Sequence, residues 1–390
     1  MKILFLACAA CLSSFIGHAQ KHVGIGTTTP LAALHVADSS VLFSGPPNFQ
    51  VNPAPPPITG PGSRMMWYVS KGAFRAGLST GDSWDQVNLG YTSFATGVDT
   101  RAAGGDAVAM GNNTTALGEQ STALGYLTTA NGHGSTAIGV QTTASGAASL
   151  AAGNLSIASG TTSTSIGAGT TASGDNSTAM GNYVSTSGFT GAFIIGDNST
   201  SGTVTNCFRI NEFRARFNGG YALYTNTATS TGVFMLNGAN SWSSISDSSK
   251  KEQFKKTDGE YVLNSIGKMK LGSWNYKSQS AKNFRHYGPM AQEFYKAFGN
   301  DGIGKIGCDT LIGSADIDGI MMIALQALEK RSAALAKENE QLKAENITVE
   351  KRLADLQNQL AGKLALIETK MKIMLALKEK KQQKKSFAHR

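Results

Sequence analysis

The sequence predicts a mainly β protein: a long repetitive parallel β-roll and a β-stalk, then a smaller α+β domain and a terminal coiled coil. Three observations predict it. Glycine recurs at every seventh position from Gly97 to Gly188, charge is scarce until about Ser244, and leucine recurs at seven along a charged stretch that begins near Gly319. With 390 residues, 45 glycines and 9 prolines, the chain is long enough for several domains, and glycine without an every-third spacing points to repeats rather than collagen. The net charge of +9 is concentrated at one end, because Lys378, Lys380, Lys381, Lys384, Lys385 and Arg390 against Glu379 give residues 376–390 a net +5. The body is only mildly basic, and nucleic acid is not an expected partner. A solvated helix end is the expected role of that tail, ahead of contact with an acidic surface polymer.

Residues 1–19 hold one lysine, an apolar run from Ile3 to about Ile16 and a small-residue exit at Gly17-His18-Ala19. The run is shorter than the ~20 residues a membrane helix needs, so it predicts a signal peptide cleaved after Ala19 and a secreted mature chain with no transmembrane segment. Cys8 or Cys11 would serve a lipoprotein signal less well, since Phe5-Leu6-Ala7 leaves little apolar sequence ahead of Cys8. Cys207 and Cys308 then remain, too few and too distant for a disulfide framework. Residues 20–62 are a lead, VGIGTTTPLAALHV at Val23 to Val36, and a stiff linker, PAPPPITGPG at Pro53 to Gly62. In residues 63–92, apolar and polar positions alternate around Trp67, Phe74 and Trp84, which predicts a small β cap whose aromatics pack rather than bind.

The roll is expected over residues 93–197. The residue ahead of each glycine alternates, so that Met110, Leu124, Ile138, Ala152, Ile166 and Met180 recur at fourteen, with Asn131, Ser145, Ser159 and Ser173 in the other phase. The repeat is therefore fourteen residues long, two short strands with a turn after each. Glycine and β-branched threonine at this density exclude a helix. An inward column of Ala, Ile, Leu and Met is expected, with glycine supplying positive φ at the corners and coils stacked ~4.8 Å apart. So thin a core is expected to bury a second face against identical copies.

Over about 92 residues these repeats resemble the head of YadA-like trimeric autotransporter adhesins. The resemblance implies left-handed parallel β-rolls, three chains side by side, in an adhesin-like protein at the cell surface. A cell-surface or carbohydrate ligand is the partner it suggests, although the threonine-rich roll offers no identifiable pocket and only Tyr126 and Tyr183 as tyrosines. Those adhesins end in a membrane β-barrel, whereas residues 320–390 read as charged helix, so no such anchor is expected. The lead resembles the N-terminal segment of secreted bacterial tail-fibre-like proteins. Residues 198–240 are expected to be a β-stalk turning at Gly219-Gly220, with Arg209, Arg214 and Arg216 on its solvated face.

A coiled coil is expected over 319–375, ahead of the basic tail at 376–390. Leu328, Leu335, Leu342, Val349 and Leu356 recur at seven, and Asn339, Asn346, Leu353, Leu360, Ile367 and Met374 fill the position four further on. Core asparagines at that seam fix register and oligomer state at some cost in stability. Lys363 and Lys370 interrupt one column, so fraying is expected there; the heptads permit two chains, and three follows from the roll.

Between stalk and coil, residues 241–318 carry SDSSKKEQF, GSWNYKS and FRHYGPMAQEFYKAFG. That order, ending in a coiled coil, resembles the intramolecular chaperone domain of phage tail spikes and endosialidases, from about Ser241 to Leu360. The resemblance implies a domain that trimerises the fibre ahead of it and, in processed members, cuts itself off as a serine peptidase. By position Ser246 corresponds to the cleavage-site nucleophile and Lys251 to its base, while His286 and Glu293 match motif positions and are expected to hold the fold rather than catalyse. The family usually has arginine where this chain has Ser249. A lysine base must be neutral when it takes the hydroxyl proton, a state favoured by burial or by a cationic neighbour such as Lys250. The same residues also read as a helix start, with Asp247 or Ser248 as N-cap and Glu252 in the first turn. No phosphate loop, HExxH or paired metal-ligand spacing is present, so no cofactor or metal is expected. The expectation is a secreted homotrimeric fibre assembled by its chaperone domain; the alternative is a self-cleaving serine peptidase built on Ser246 and Lys251.

Overall fold

Two ladders of strands run through the repeats, one of eleven strands and one of eight. The computed structural model describes residues 22–45, 52–199 and 202–387; the expected signal peptide at 1–19 lies outside the described residues, as do residues 388–390 of the expected tail. The chain divides into two units, residues 1–223 with 234–242, and residues 224–233 with 243–390.

In the first unit each repeat gives one five-residue strand and one two-residue strand, as in Thr122–Tyr126 and Thr129–Ala130, then Thr136–Val140 and Thr143–Ala144. Neighbours pair in parallel at an offset of one repeat, Thr136 with Thr122 on one side and Leu150 on the other, and Thr129 with Thr143. The result is a β-solenoid.

Its interior differs from the expected one. Ala109, Ala123, Ala137 and Ala151 are fully buried, as are Ala116, Ala130, Ala144 and Ala158 in the other sheet, whereas Met110 and Ile138 are each 40% exposed. Alternation along a strand puts Ala123 and Leu124 on opposite faces, and the middle coils leave room inside only for methyls and hydroxyls, with Ile194 and Arg75 admitted in the inward column at the two ends. Thr114, Ser121, Thr128, Ser135 and Thr142 complete that interior, all with no exposed surface. The larger apolar column faces outward.

Every second phased glycine does take a positive φ, as at Gly111, Gly125, Gly139 and Gly153 with 117° to 126°, but inside its five-residue strand. The corners that follow are made by Asn113, Leu127, Gln141 and Leu155, with φ between 53° and 55°, a left-handed conformation that costs a non-glycine residue roughly 1 kcal/mol. The glycines also permit stacking: a Cβ on Gly132 would lie 2.0 Å from the carbonyl oxygen of Gly146 in the next coil.

The ladders continue past Asp197. Phe213–Arg216 pairs in parallel with Phe193–Gly196, and Thr205–Asn206 with Val184–Ser185, so the segment expected as stalk begins by adding to the roll. Two of its arginines are accordingly held by protein groups: Arg216 donates to the carbonyl of Asn182 at 3.1 Å, and Arg214 pairs with Glu212 at 2.7 Å while covering the Phe208 ring.

At the other end an antiparallel hairpin, Gly62–Tyr68 with Ala73–Ser79, joins the eleven-stranded sheet through Phe74 opposite Phe94. Arg75 occupies the inward column beside Ala95, fully buried, and donates to the carbonyls of Ser93 and Ala102 and to Ser93 Oγ. Burial pushes its guanidinium down to about 10. Trp84, also fully buried, donates to the Thr100 carbonyl. Of the three cap aromatics, Trp84 packs inside, and Trp67 is 43% exposed. In the lead, Val23–Ile25 pairs in parallel with Leu34–Val36.

The second unit holds three helices, α1 (Gly259–Lys268), α2 (Ala291–Phe298) and α3 (Ser314–Phe387), and an antiparallel pair, Gly272–Trp274 with His286–Gly288. Asp258 caps α1 by accepting from the Glu260 amide at 2.9 Å. Val262 of α1, Phe294 and Phe298 of α2 and Ala324 of α3 form its core, with Ile266, Ile317 and Ile320 against them. Gly259 lets α1 approach α3, since a Cβ there would meet that of Ala327 at 2.8 Å. Among the described residues no helix is long and apolar enough to cross a membrane.

Replacing Ala137, which has no exposed surface, by leucine is expected to overpack the interior and cost about 1–3 kcal/mol in thermal unfolding, with Ile138→Leu on the outward face costing less.

Candidate functional site

A single short turn brings the two motif residues together. Asp247 precedes a 3-10 turn at Ser248–Lys250 and accepts from the Ser249 amide at 2.9 Å, while the Lys250 and Lys251 amides close back on the carbonyls of Asp247 and Ser248. The chain reverses over these residues, and Lys251 Nζ donates to Ser246 Oγ at 2.7 Å. The expected helix start is only this three-residue turn, capped by Asp247 and with Glu252 outside it, and it holds the serine–lysine pair together. Both side chains of the pair are exposed.

In this arrangement the amine is the donor. A base takes the hydroxyl proton instead, so Lys251 must lose its own proton before it can act. Lys250, adjacent in sequence, is exposed as well.

His286 and Glu293 stand in other networks. His286 lies on the strand opposite Trp274, with ring centroids 4.9 Å apart, and its Nε2 is 3.1 Å from Gln279 Oε1. Glu293, in the first turn of α2, accepts from the Lys270 amide at 3.0 Å and so ties that helix to the segment after α1. Arg285 of the same motif donates to the carbonyl and Oγ of Ser273 and to Asn275 Oδ1. These contacts hold strand, turn and helix together. Among the described residues, neither His286 nor Glu293 hydrogen-bonds to Ser246 or Lys251. Gln279 and Lys270, their partners, carry no motif of their own and were not expected from sequence.

Trp274 and Tyr276 line a cavity of about 560 Å³ with Met290, Leu311 and Ile312, and among the described residues the buried Trp274 Nε1 has no acceptor. Among the described residues no group of three or more His, Cys, Asp or Glu could hold a metal ion.

Fold and site together describe a repetitive β-solenoid protein with a C-terminal helical unit that displays a serine–lysine pair. Residues 102–128, 130–156 and 158–183 match the family model of the YadA head domain repeat (2 copies), and residues 246–303 match that of the chaperone of endosialidase. The second match begins at Ser246 and takes in Lys251, His286 and Glu293. Both families are those the repeats and the serine motif resemble, and together they cover less than half of the chain. No curated protein matches it.

The Asp247 carboxyl is held below its ordinary value, first by the Ser249 amide, then by the Ser249 side chain and the charge of Lys250. A depressed folded value means that the cap stabilises the turn above the unfolded pKa of ~3.9 and that this is lost as pH falls through the lower folded value. The protection of the Ser249 amide, its exchange taken relative to the intrinsic rate at each pH, is expected to fall on acidification through that window in the parent and to lose the dependence in Asp247→Ala.

Proposed function

We propose that the protein is a secreted homotrimeric surface fibre, adhesin-like in its head, whose residues 241–318 act as an intramolecular chaperone that brings three chains into register. The observation that carries this reading is the outward apolar column. Met110, Leu124, Ile138, Ile166, Met180 and Ile195 stand on one face of the eleven-stranded sheet, with Ala152 taking the place in the coil between Ile138 and Ile166, and a lone chain leaves all six exposed or partly exposed. Burying that column against equivalent columns of two copies gives each coil the large apolar contact its alanine interior lacks. Exposed heptad residues on α3, Leu328 at 48% and Leu335 at 58% among them, call for partners in the same way. Residues 319–375 then serve as the coiled coil and 376–390 as a basic tail. The match to the YadA head repeat supports three chains and a cell-surface or extracellular setting, and the residues at 1–19 support export.

Parallel stacking across chains is slow to find its register, so trimerising the C-terminal domain first lowers the entropy lost in forming the roll. A chain from residue 20 is expected to elute as a trimer by light scattering, and deletion of residues 246–390 to leave misassembled head. A soluble, trimeric head without that domain would overturn the reading.

The 2.7 Å contact between Lys251 Nζ and Ser246 Oγ favours a second activity. Ser246 Oγ would attack the carbonyl carbon of Ile245 as Lys251 takes its proton; the Ser246 nitrogen would leave as a free amine, and water would hydrolyse the ester. Intact mass of denatured chains tests it. Self-cleavage predicts a cut before Ser246 in the parent and none in Ser246→Ala, whereas full-length mass in both assigns the domain to assembly alone.

A further inference from the structure

Lys363 and Lys370 fall in the leucine column of the heptads, yet α3 runs unbroken through both, from Ser314 to Phe387. The apolar residues around them keep a different count. Leu353, Leu356, Leu360, Leu364, Ile367, Met371 and Met374 step by 3, 4, 4, 3, 4 and 3 residues, and each is between 54% and 70% exposed. A seam on a left-handed coil alternates steps of three and four, so two fours in succession amount to a four-residue insertion, and Leu353 to Leu364 forms one eleven-residue unit.

We propose that the seam of α3 changes phase once, between Leu356 and Leu364, and continues to Met374, with Leu364 and Met371 packed against second and third copies of this chain. The proposal rests on the trimeric reading above and deepens it. Without the shift, two ammonium groups sit in the seam and Leu364 and Met371 lie beside it. With the shift, both lysines move to the flank. In parallel chains a flanking residue faces the one five positions on in its neighbour, which sets Lys363 against Glu368, as Glu338 is set against Lys343 in the undisturbed heptads. Leu366 and Ile373 stay on the outer face.

Gly362 lies in the turn where the supercoil has to unwind, and a Cβ there would meet nothing within 4 Å. Glycine inside a helix costs about 1 kcal/mol against alanine, which makes that turn the softest nearby. Such a step also encodes alignment. Plain heptads can slip by seven with little penalty, but one phase shift, together with Asn339 and Asn346, matches itself in a single register.

Disulfide trapping in the chain from residue 20 tests this. The background is Cys308→Ser; Cys207 is buried, at 1% exposed. Leu353→Cys lies in the seam under either phase, Met371→Cys only after a shift, and Lys370→Cys only without one. Mild oxidation is expected to cross-link the first two, with Lys370→Cys giving about ten-fold less product, as seam positions approach and flanking ones do not. Cross-linking at 370 equal to or above that at 371 would overturn the shift, and loss at both with 353 intact would end the coil before Lys363. Failure at 353 would remove the trimeric coil itself, and the shift with it.

Discussion

The distance between successive coils governs this molecule. At Gly125 and Gly132 the next coil's carbonyl lies 2.0 Å from where a Cβ would be, so backbone meets backbone with no side chain between. Coils stacked that closely leave an interior lined by Ala123, Ala130, Ser121 and Thr128, all fully buried. Methyls and hydroxyls bury little apolar area, and each coil has little to hold it except its hydrogen bonds to the coils on either side. Larger side chains are displaced to the outer face, where Met110, Leu124 and Ile138 form a surface that needs covering. The need for such a cover is thus a consequence of the stacking distance, not an addition to it.

The same regularity creates a problem of alignment. Thr122, Thr136, Thr164 and Thr178 occupy equivalent places, as do Ala123, Ala137 and Ala179, so a coil displaced by a whole repeat meets almost the same neighbours. Nothing local distinguishes the right partner coil from the next. Information about register has to come from parts of the chain that do not repeat. The helical unit is such a part, with Phe294 and Phe298 packed on Val262 and a polar lock between Glu293 and the Lys270 amide.

Spacing made the roll legible before any coordinate. Fourteen-residue periodicity from Gly97 onward and two strands per repeat follow from glycine and threonine alone, whereas the five- and two-residue lengths of those strands do not. Which face is inside did not follow, because Ala137 and Ile138 are both apolar and only the width of the coil decides between them. Corner geometry was hidden for a similar reason: Leu127 and Leu155 are poor candidates for positive φ, and stacked neighbours hold them there. In the second unit the Ser246–Lys251 pair and the Asp247 cap were readable from one short motif. The supports of His286 and Glu293 were not, since Gln279 is an ordinary loop residue and Lys270 contributes only its amide.

A stack of parallel strands with identical side chains in file is the geometry of a growing fibril, and its open ends are templates for further chains. Here the first end is shut. The antiparallel hairpin reverses the strand direction at the sheet edge, and Arg75 fills the position where the next alanine would lie, its donors turned onto the Ser93 and Ala102 carbonyls. A second molecule arriving there would have to bury against a charge already committed to this chain. The guanidinium therefore gives an indefinitely extensible architecture a terminus, and the roll stops where its own sequence specifies.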